Sequence, residues 1–377
     1  MRITRKTGGG LAALVLGLAL AAVPTQAHAA IACNVPALQA AIIAANVSGG
    51  TIDLAPNCTY SVTDAQAIGD NAMPNIINDI TINGFNSTIE RAATAATDFR
   101  IFQVDGPSGK LTLNRVTVRN GHFIDGGGII VLDDGTLILN AATVLKENEA
   151  DSTGGGLRNF GAVFLNAGSK VTDNDASVGG GIMNDGTLTG RSANVSDNRA
   201  IFGGGGILND SSGILDLRTS TVSLNRTTIA SGAGILNINE ATLTSTVVSD
   251  NTATTVGGGF YNLGNATINN SRISANNAGN RGGGLYNFAT LHVNGTVIRA
   301  NHVTVPAPTA QGGGLYNEAG TTTFTNSNVY SNTVPPPGDG GGIYEQPGST
   351  VNLVTSAVFS NTPDNCRPPG AVPGCTG

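Results

Sequence analysis

A glycine triplet returns along this chain at nearly constant spacing, starting at Gly126, Gly154, Gly179, Gly204, Gly232 (Gly-Ala-Gly), Gly257, Gly282, Gly312 and Gly340. The steps are 28, 25, 25, 28, 25, 25, 30 and 28 residues. A period of this length marks a solenoid, in which each unit buries its apolar face only against its neighbours. A second motif recurs out of phase with the triplets, an aliphatic residue three places before an asparagine, as at Asn174, Asn198, Asn251, Asn276 and Asn332. Helical repeats have similar lengths, but no unit holds an uninterrupted helix-length window, and Gly, Thr, Asn and β-branched residues dominate. Three short strands per unit remain, separated by turns. Stacked coils of this kind make parallel sheets about 4.8 Å apart, and the handedness of parallel crossovers predicts a right-handed coil. The expected fold is therefore all-β, a single-stranded right-handed parallel β-helix of roughly twelve coils.

The residues after each triplet sort by strand alternation. The first is apolar in every copy, Ile129, Leu157, Ile182, Ile207, Ile235, Phe260, Leu285, Leu315 and Ile343, and should fill the core. The third is asparagine at Asn159, Asn184, Asn209, Asn237, Asn262, Asn287 and Asn317, which predicts a ladder of amides bonded from coil to coil. Val131 and Glu345 take that position at its ends and should stop the ladder. The second residue must then point outward: Ile130, Arg158, Met183, Leu208, Leu236, Tyr261, Tyr286, Tyr316 and Tyr344. Four of the six tyrosines thus fall in one line on consecutive coils. An exposed aromatic ribbon is a binding surface for a glycan or a protein, or else a stack of rings that shields the sheet, helped by the insertions 305–310 and 335–337.

Together the Gly-Gly-aliphatic and x-x-Asn pairs resemble the repeats of polymorphic outer-membrane proteins, and the architecture resembles right-handed parallel β-helix proteins of the pectin-lyase-like class. The resemblance covers 126–361. It departs in placing aliphatic residues where those repeats favour phenylalanine before x-x-Asn, and a C-terminal barrel-forming region is not seen.

Four parts are expected. Residues 1–29 read as a secretory signal peptide, with Arg2, Arg5 and Lys6 before the apolar run 11–23 and small residues around His28. A membrane anchor would need a longer run of about 20 residues. Residues 30–125 form an N-terminal cap and irregular coils, with a short amphipathic helix over 37–46 and strands at 51–54, 79–89 and 110–118. The regular repeats span 126–361, and 362–377 is a Pro-rich C-terminal cap. In an exported chain the four cysteines pair as Cys33 with Cys58 and Cys366 with Cys375.

Charge narrows the partners. Removing 1–29 takes three positive and no negative charges from the net −6, leaving −9, which argues against nucleic acid. No second long apolar run predicts a membrane span, no cofactor is implied, and the chain is expected to be a monomer.

Catalysis needs converging groups: two carboxylates across a bond for a hydrolase, or a base with a cation for a lyase. Asp133 and Asp134 resemble the paired aspartates of polygalacturonases, and His122 lies close in sequence, but the later histidine-glycine and Arg-x-Lys motifs of that family are missing. Asp185 and Asp210 follow ladder asparagines on adjacent coils, beside Phe160 and Ile238. His292 and His302 fall on separate strands. Glu147, Asp173, Asp197, Leu224 and Asp250 precede the x-x-Asn asparagines, where stacked acids would suit Ca²⁺. The sequence is thus read as a secreted or cell-surface recognition module, adhesin-like or glycan-binding, through Tyr261, Tyr286, Tyr316 and Tyr344. The rival readings are a polysaccharide lyase or hydrolase and a structural spacer.

Overall fold

The computed structural model describes residues 29–66 and 70–376. The signal-peptide segment falls almost wholly outside them. The chain winds as a parallel β-helix of about 12 coils, and every strand pairing between coils is parallel. One sheet has 11 strands, one has 8, and one has 22.

The 22-stranded sheet takes two segments from most coils, so a regular coil has four strand segments rather than the three expected. One coil reads Ile182–Asn184, Thr187–Arg191, Asn194–Ser196 and Arg199–Gly203. The extra corner escapes a reading based on glycine because on most coils non-glycine residues hold it at positive φ, among them Ser192 (50°), Thr219 (49°) and Ser245 (51°). Hydroxyls satisfy the backbone there, as where the Thr246 amide donates to Ser271 Oγ at 3.0 Å and the Ser271 amide to Thr296 Oγ1 at 3.1 Å.

The triplets behave as their spacing predicts. The first glycine is left-handed, with φ of 64° at Gly257 and 62° at Gly282. The second is crowded from the next coil: a Cβ on Gly258 would lie 2.3 Å from the Asn277 carbonyl oxygen and 2.5 Å from that of Gly283. After the triplet, Ile182, Ile207, Ile235, Phe260, Leu285 and Leu315 are all fully buried.

Two asparagine ladders run along the regular coils. The expected one links Asn159, Asn184, Asn209, Asn237, Asn262, Asn287 and Asn317, each Nδ2 donating to the next Oδ1 at 2.7–2.9 Å. It stops where Val131 supplies no amide, and Asn159 Oδ1 is buried without a partner. The x-x-Asn residues form a second and longer ladder, from Asn148 through Asn174, Asn198, Asn225, Asn251, Asn276, Asn301 and Asn332 to Asn361. Here each amide accepts twice, from the neighbour's backbone N–H and from its Nδ2, as Asn251 does from Asn225 at 3.0 Å each.

At the N-terminus the helix Val35–Ser48 is capped by Asn34, whose Oδ1 accepts from the Ala37 amide at 2.9 Å. It buries Leu38, Ile42 and Ala45 against the first coil. It is not amphipathic as expected, since Ile43 and Val47 on its outer side are 57% and 82% exposed. The two disulfides are Cys33–Cys58 and Cys366–Cys375. None of the described helices is long and apolar enough to cross a membrane.

Candidate functional site

In the 11-stranded sheet the residue between the core residue and the ladder asparagine faces away from the core. Leu236, Tyr261, Tyr286, Tyr316 and Tyr344 are in register there, on five successive strands. Tyr286 and Tyr316 stack at 5.2 Å and 20°, Tyr316 and Tyr344 at 5.3 Å and 7°, and Tyr261 meets Tyr286 edge-on at 4.8 Å and 76°.

The line exists, and of the two alternatives it is nearer to the stack of rings that shields the sheet than to an open ribbon. Tyr316 is fully buried and Tyr286 is 7% exposed, while Tyr261 and Tyr344 are half-buried. Coil spacing brings adjacent rings to stacking distance, so the inner faces of the stack are consumed by neighbouring rings. The edges are covered by three residues that sequence reasoning missed. Arg281 lies over Tyr316, its Cζ 4.9 Å from the ring centroid, and is 3.5 Å from Glu318. The Tyr286 hydroxyl donates to Glu318 Oε2 at 2.9 Å, and the Tyr316 hydroxyl to Gln346 Oε1 at 3.0 Å. Burial first, then the Glu318 carboxylate, push both phenols above their usual range; for Tyr316 the Arg281 charge opposes this. Both hydroxyls are therefore proton donors at neutral pH, unsuited to act as bases.

The insertion 305–310 has a structural part in this cover. Val303, Ala310 and Val334 form a small separate core, and Arg281 Nε donates to the Thr309 carbonyl at 3.3 Å. A legible signal existed for Glu318: it follows the ladder residue Asn317, the same place that Asp185 and Asp210 occupy on their coils.

Toward the N-terminal end, the outward residue Arg158 is ion-paired with Asp185, and both side chains are largely buried, at 12% and 15% exposure. The guanidinium also lies over the Phe160 ring, 4.2 Å from its centroid. Asp210 stands on the next coil, and the backbone places Phe160, Asp185 and Asp210 in one column. Burial raises the Asp185 carboxyl above the usual carboxylate range; Arg158 opposes this and Asp210 reinforces it. Asp185 and Asp210 thus do come together, and Asp185 pairs with a cation that the sequence reading had placed in a different column.

The other acids and histidines do not join them. Asp133 lines a cleft with Asp105, Gly106, Leu132 and Phe160, and Asp134 turns the chain at φ 61°. His122 is held instead by Asp98 at 3.1 Å and Asp151 at 2.9 Å. Burial would lower its pKa, but these carboxylates and Glu149 outweigh that and raise it. His292 is in register with Thr267 and Thr323, and His302 is 2.5 Å from the Thr333 hydroxyl. Glu147, Asp173, Asp197, Leu224 and Asp250 share a left-handed corner with φ of 54–59°. Among the described residues, no group of three or more His, Cys, Asp or Glu is placed to hold a metal ion.

By fold, this is a parallel β-helix. No family model matches the chain, and no curated protein matches it. Among solved structures, the A-module of the mannuronan C-5 epimerase AlgE6 from Azotobacter vinelandii is similar over 89% of this chain and 95% of that one, at 16% identity and a TM-score of 0.39. At that level no residue and no activity carries over.

Proposed function

We propose that this chain is an extracytoplasmic glycan-recognition protein that binds along the outer face of the 11-stranded sheet, over Tyr261, Tyr286, Tyr316 and Tyr344. The observation that carries the reading is a rigid aromatic spine bordered by polar groups on one face. Sugars present hydroxyl edges and apolar C–H faces. Here Glu318, Gln346 and Arg281 are already fixed around ring edges by mutual hydrogen bonds and ion pairing. Little side-chain entropy remains to be lost on binding. Half-buried Tyr261 and Tyr344 keep the accessible aromatic surface, at the two ends of a line roughly 15 Å long. The two disulfides support an oxidising compartment.

A second reading rests on a different observation, the Arg158–Asp185 ion pair with Asp210 beside Asp185 on the next coil. An acid whose proton is held above the usual range, beside a cleft containing Asp133, suits cleavage of a polysaccharide.

One experiment separates the two. The purified protein is screened against a glycan array and acidic polysaccharides, beside Tyr261→Ala with Tyr344→Ala, Glu318→Gln, and Asp185→Asn, with folding checked by circular dichroism. Binding lost in the tyrosine and Glu318 variants without product formation supports recognition. New reducing ends or unsaturated products, lost in Asp185→Asn, move the function to the charged end. Neither binding nor products in any assay overturns both readings.

A further inference from the structure

The two ends of the rod are finished differently. At the N-terminal end the helix Val35–Ser48 lies over the first coil and buries Leu38 and Ile42 completely. At the C-terminal end the tail covers only one side. Cys366–Arg367 adds a last strand to the 11-stranded sheet, Asn365 Oδ1 accepts from the Asn361 amide at 3.1 Å and so ends the long ladder, and Val372 enters the core. The 22-stranded sheet receives no such cover. Its last strands, Thr350–Val354 and Ala357–Phe359, pair with Thr321–Thr325 and Asn328–Tyr330 and with no other strand among the described residues.

One device guards this edge, the Glu345 carboxylate that accepts from the Val351 amide at 3.2 Å, but the strands themselves carry none of the others that keep sheet edges from associating. Residues 346–363 carry no charge, and 350–359 contain neither proline nor glycine. Positions that are sealed one coil earlier are open here: Phe324 and Val329 are 0% and 1% exposed, whereas Leu353 and Val358, their partners in register, are only half-buried. Val354 and Phe359 are 49% and 44% exposed beside them. A run of β-branched and aromatic residues with free backbone groups on a sheet edge takes up another strand.

We propose that the strand taken up belongs to a second copy of this chain, so that two molecules join C-terminal end to C-terminal end. Head-to-tail stacking, which would continue into a filament, is blocked by the N-terminal helix. The open edge has one identical surface available to it, its own counterpart across a two-fold axis, and that pairing is antiparallel and closes on itself. Charge points the same way. The chain carries a net −6, and the two edge strands, Thr350–Val354 and Ala357–Phe359, carry no charge of their own, so two copies can pair them without like charges meeting within the strands. The inference concerns a surface away from the tyrosine face and stands whatever that face binds.

The test is sedimentation of the purified protein from about 1 to 100 µM, beside Val354→Lys with Phe359→Lys and, separately, Asn352→Lys. All three side chains are exposed, so the fold should persist, checked by circular dichroism. The expected result is a dimer in the parent, association weakened about 100-fold in the double variant and measurably in Asn352→Lys, and amide exchange at Leu353 and Val358 that slows with concentration. A parent that stays monomeric at the highest concentration overturns the proposal, whatever other strands the edge accepts. Association unchanged by the lysines, or growth into open aggregates, overturns it equally.

Discussion

Tyr286 and Glu318 lie on successive coils, and the hydroxyl of the buried first residue donates to the partly exposed carboxylate of the second at 2.9 Å. The pair makes stability depend on alkali. Burial and the Glu318 charge raise the Tyr286 pKa above 10.0, its ordinary value. A phenol that stays protonated longer in the folded state contributes stability that is complete below about pH 10 and falls as pH rises above it. Alkaline unfolding should therefore steepen above pH 10, and Tyr286→Phe should flatten that limb. Glu318→Ala, which leaves a buried hydroxyl unpaired, should cost about 1–3 kcal/mol at neutral pH, read from urea unfolding.

The ends of the short ladder should tolerate change better than its middle. Asn237 accepts from Asn209 and donates to Asn262, so Asn237→Val removes a hydrogen bond on each side and leaves Asn262 Oδ1 without its donor. Asn159 donates to Asn184 but receives nothing, because Val131 precedes it. Asn159→Val should cost about 1 kcal/mol and Asn237→Val about 3 kcal/mol or more. The comparison is made by urea midpoints, with coil-by-coil hydrogen exchange to show whether a solenoid loses its coils together.

The solenoid and the short ladder were legible because both are translational. A residue stacked on its own kind every 25 to 30 positions declares its column, and alternation within a strand declares which side is core. What lay between columns was not legible. Arg158 sits in the outward column and Asp185 in the column after the ladder, one coil on. Their contact depends on how a side chain leans across the sheet, which no period encodes. The partners of the tyrosines were hidden in the same way: their alignment and the shielding alternative could be read, but not that Arg281, held by the insertion, and Glu318 and Gln346 would border the rings. The fourth strand segment was missed because no single residue type marks that corner: Ser192, Thr219 and Ser245 turn it on three coils, Asn270 and Gly295 on the next two.

Glycine substitutions should separate packing from backbone strain. A Cβ on Gly258 meets two backbone carbonyls of the next coil within 2.5 Å, and neither can move without shifting its own strand. Gly348 has φ of 94°, but a Cβ there would meet nothing within 4 Å. Gly258→Ala should cost more than about 3 kcal/mol or prevent folding, and Gly348→Ala about 1–2 kcal/mol, the strain of a left-handed alanine alone. Thermal unfolding of both variants under one set of conditions checks the order.

The charged end yields a prediction whose sign does not depend on whether it is catalytic. Asp185 titrates above its usual value, chiefly through burial; Arg158 lowers it and Asp210 raises it. Asp210→Asn should therefore bring the Asp185 pKa down, and Arg158→Met should send it up. A folded-state pKa above the unfolded value contributes stability at acid pH that is lost as pH rises through that folded pKa. Because Asp210 maintains part of the shift, Asp210→Asn should leave the protein less dependent on pH across the window that opens upward from pH 3.8, the ordinary value for such a group. Carboxyl-carbon NMR titration of Asp185 in the parent and both variants reads the shifts directly. A downward move in Arg158→Met would show that the ion pair is not what holds the Asp185 carboxylate in its ionised form.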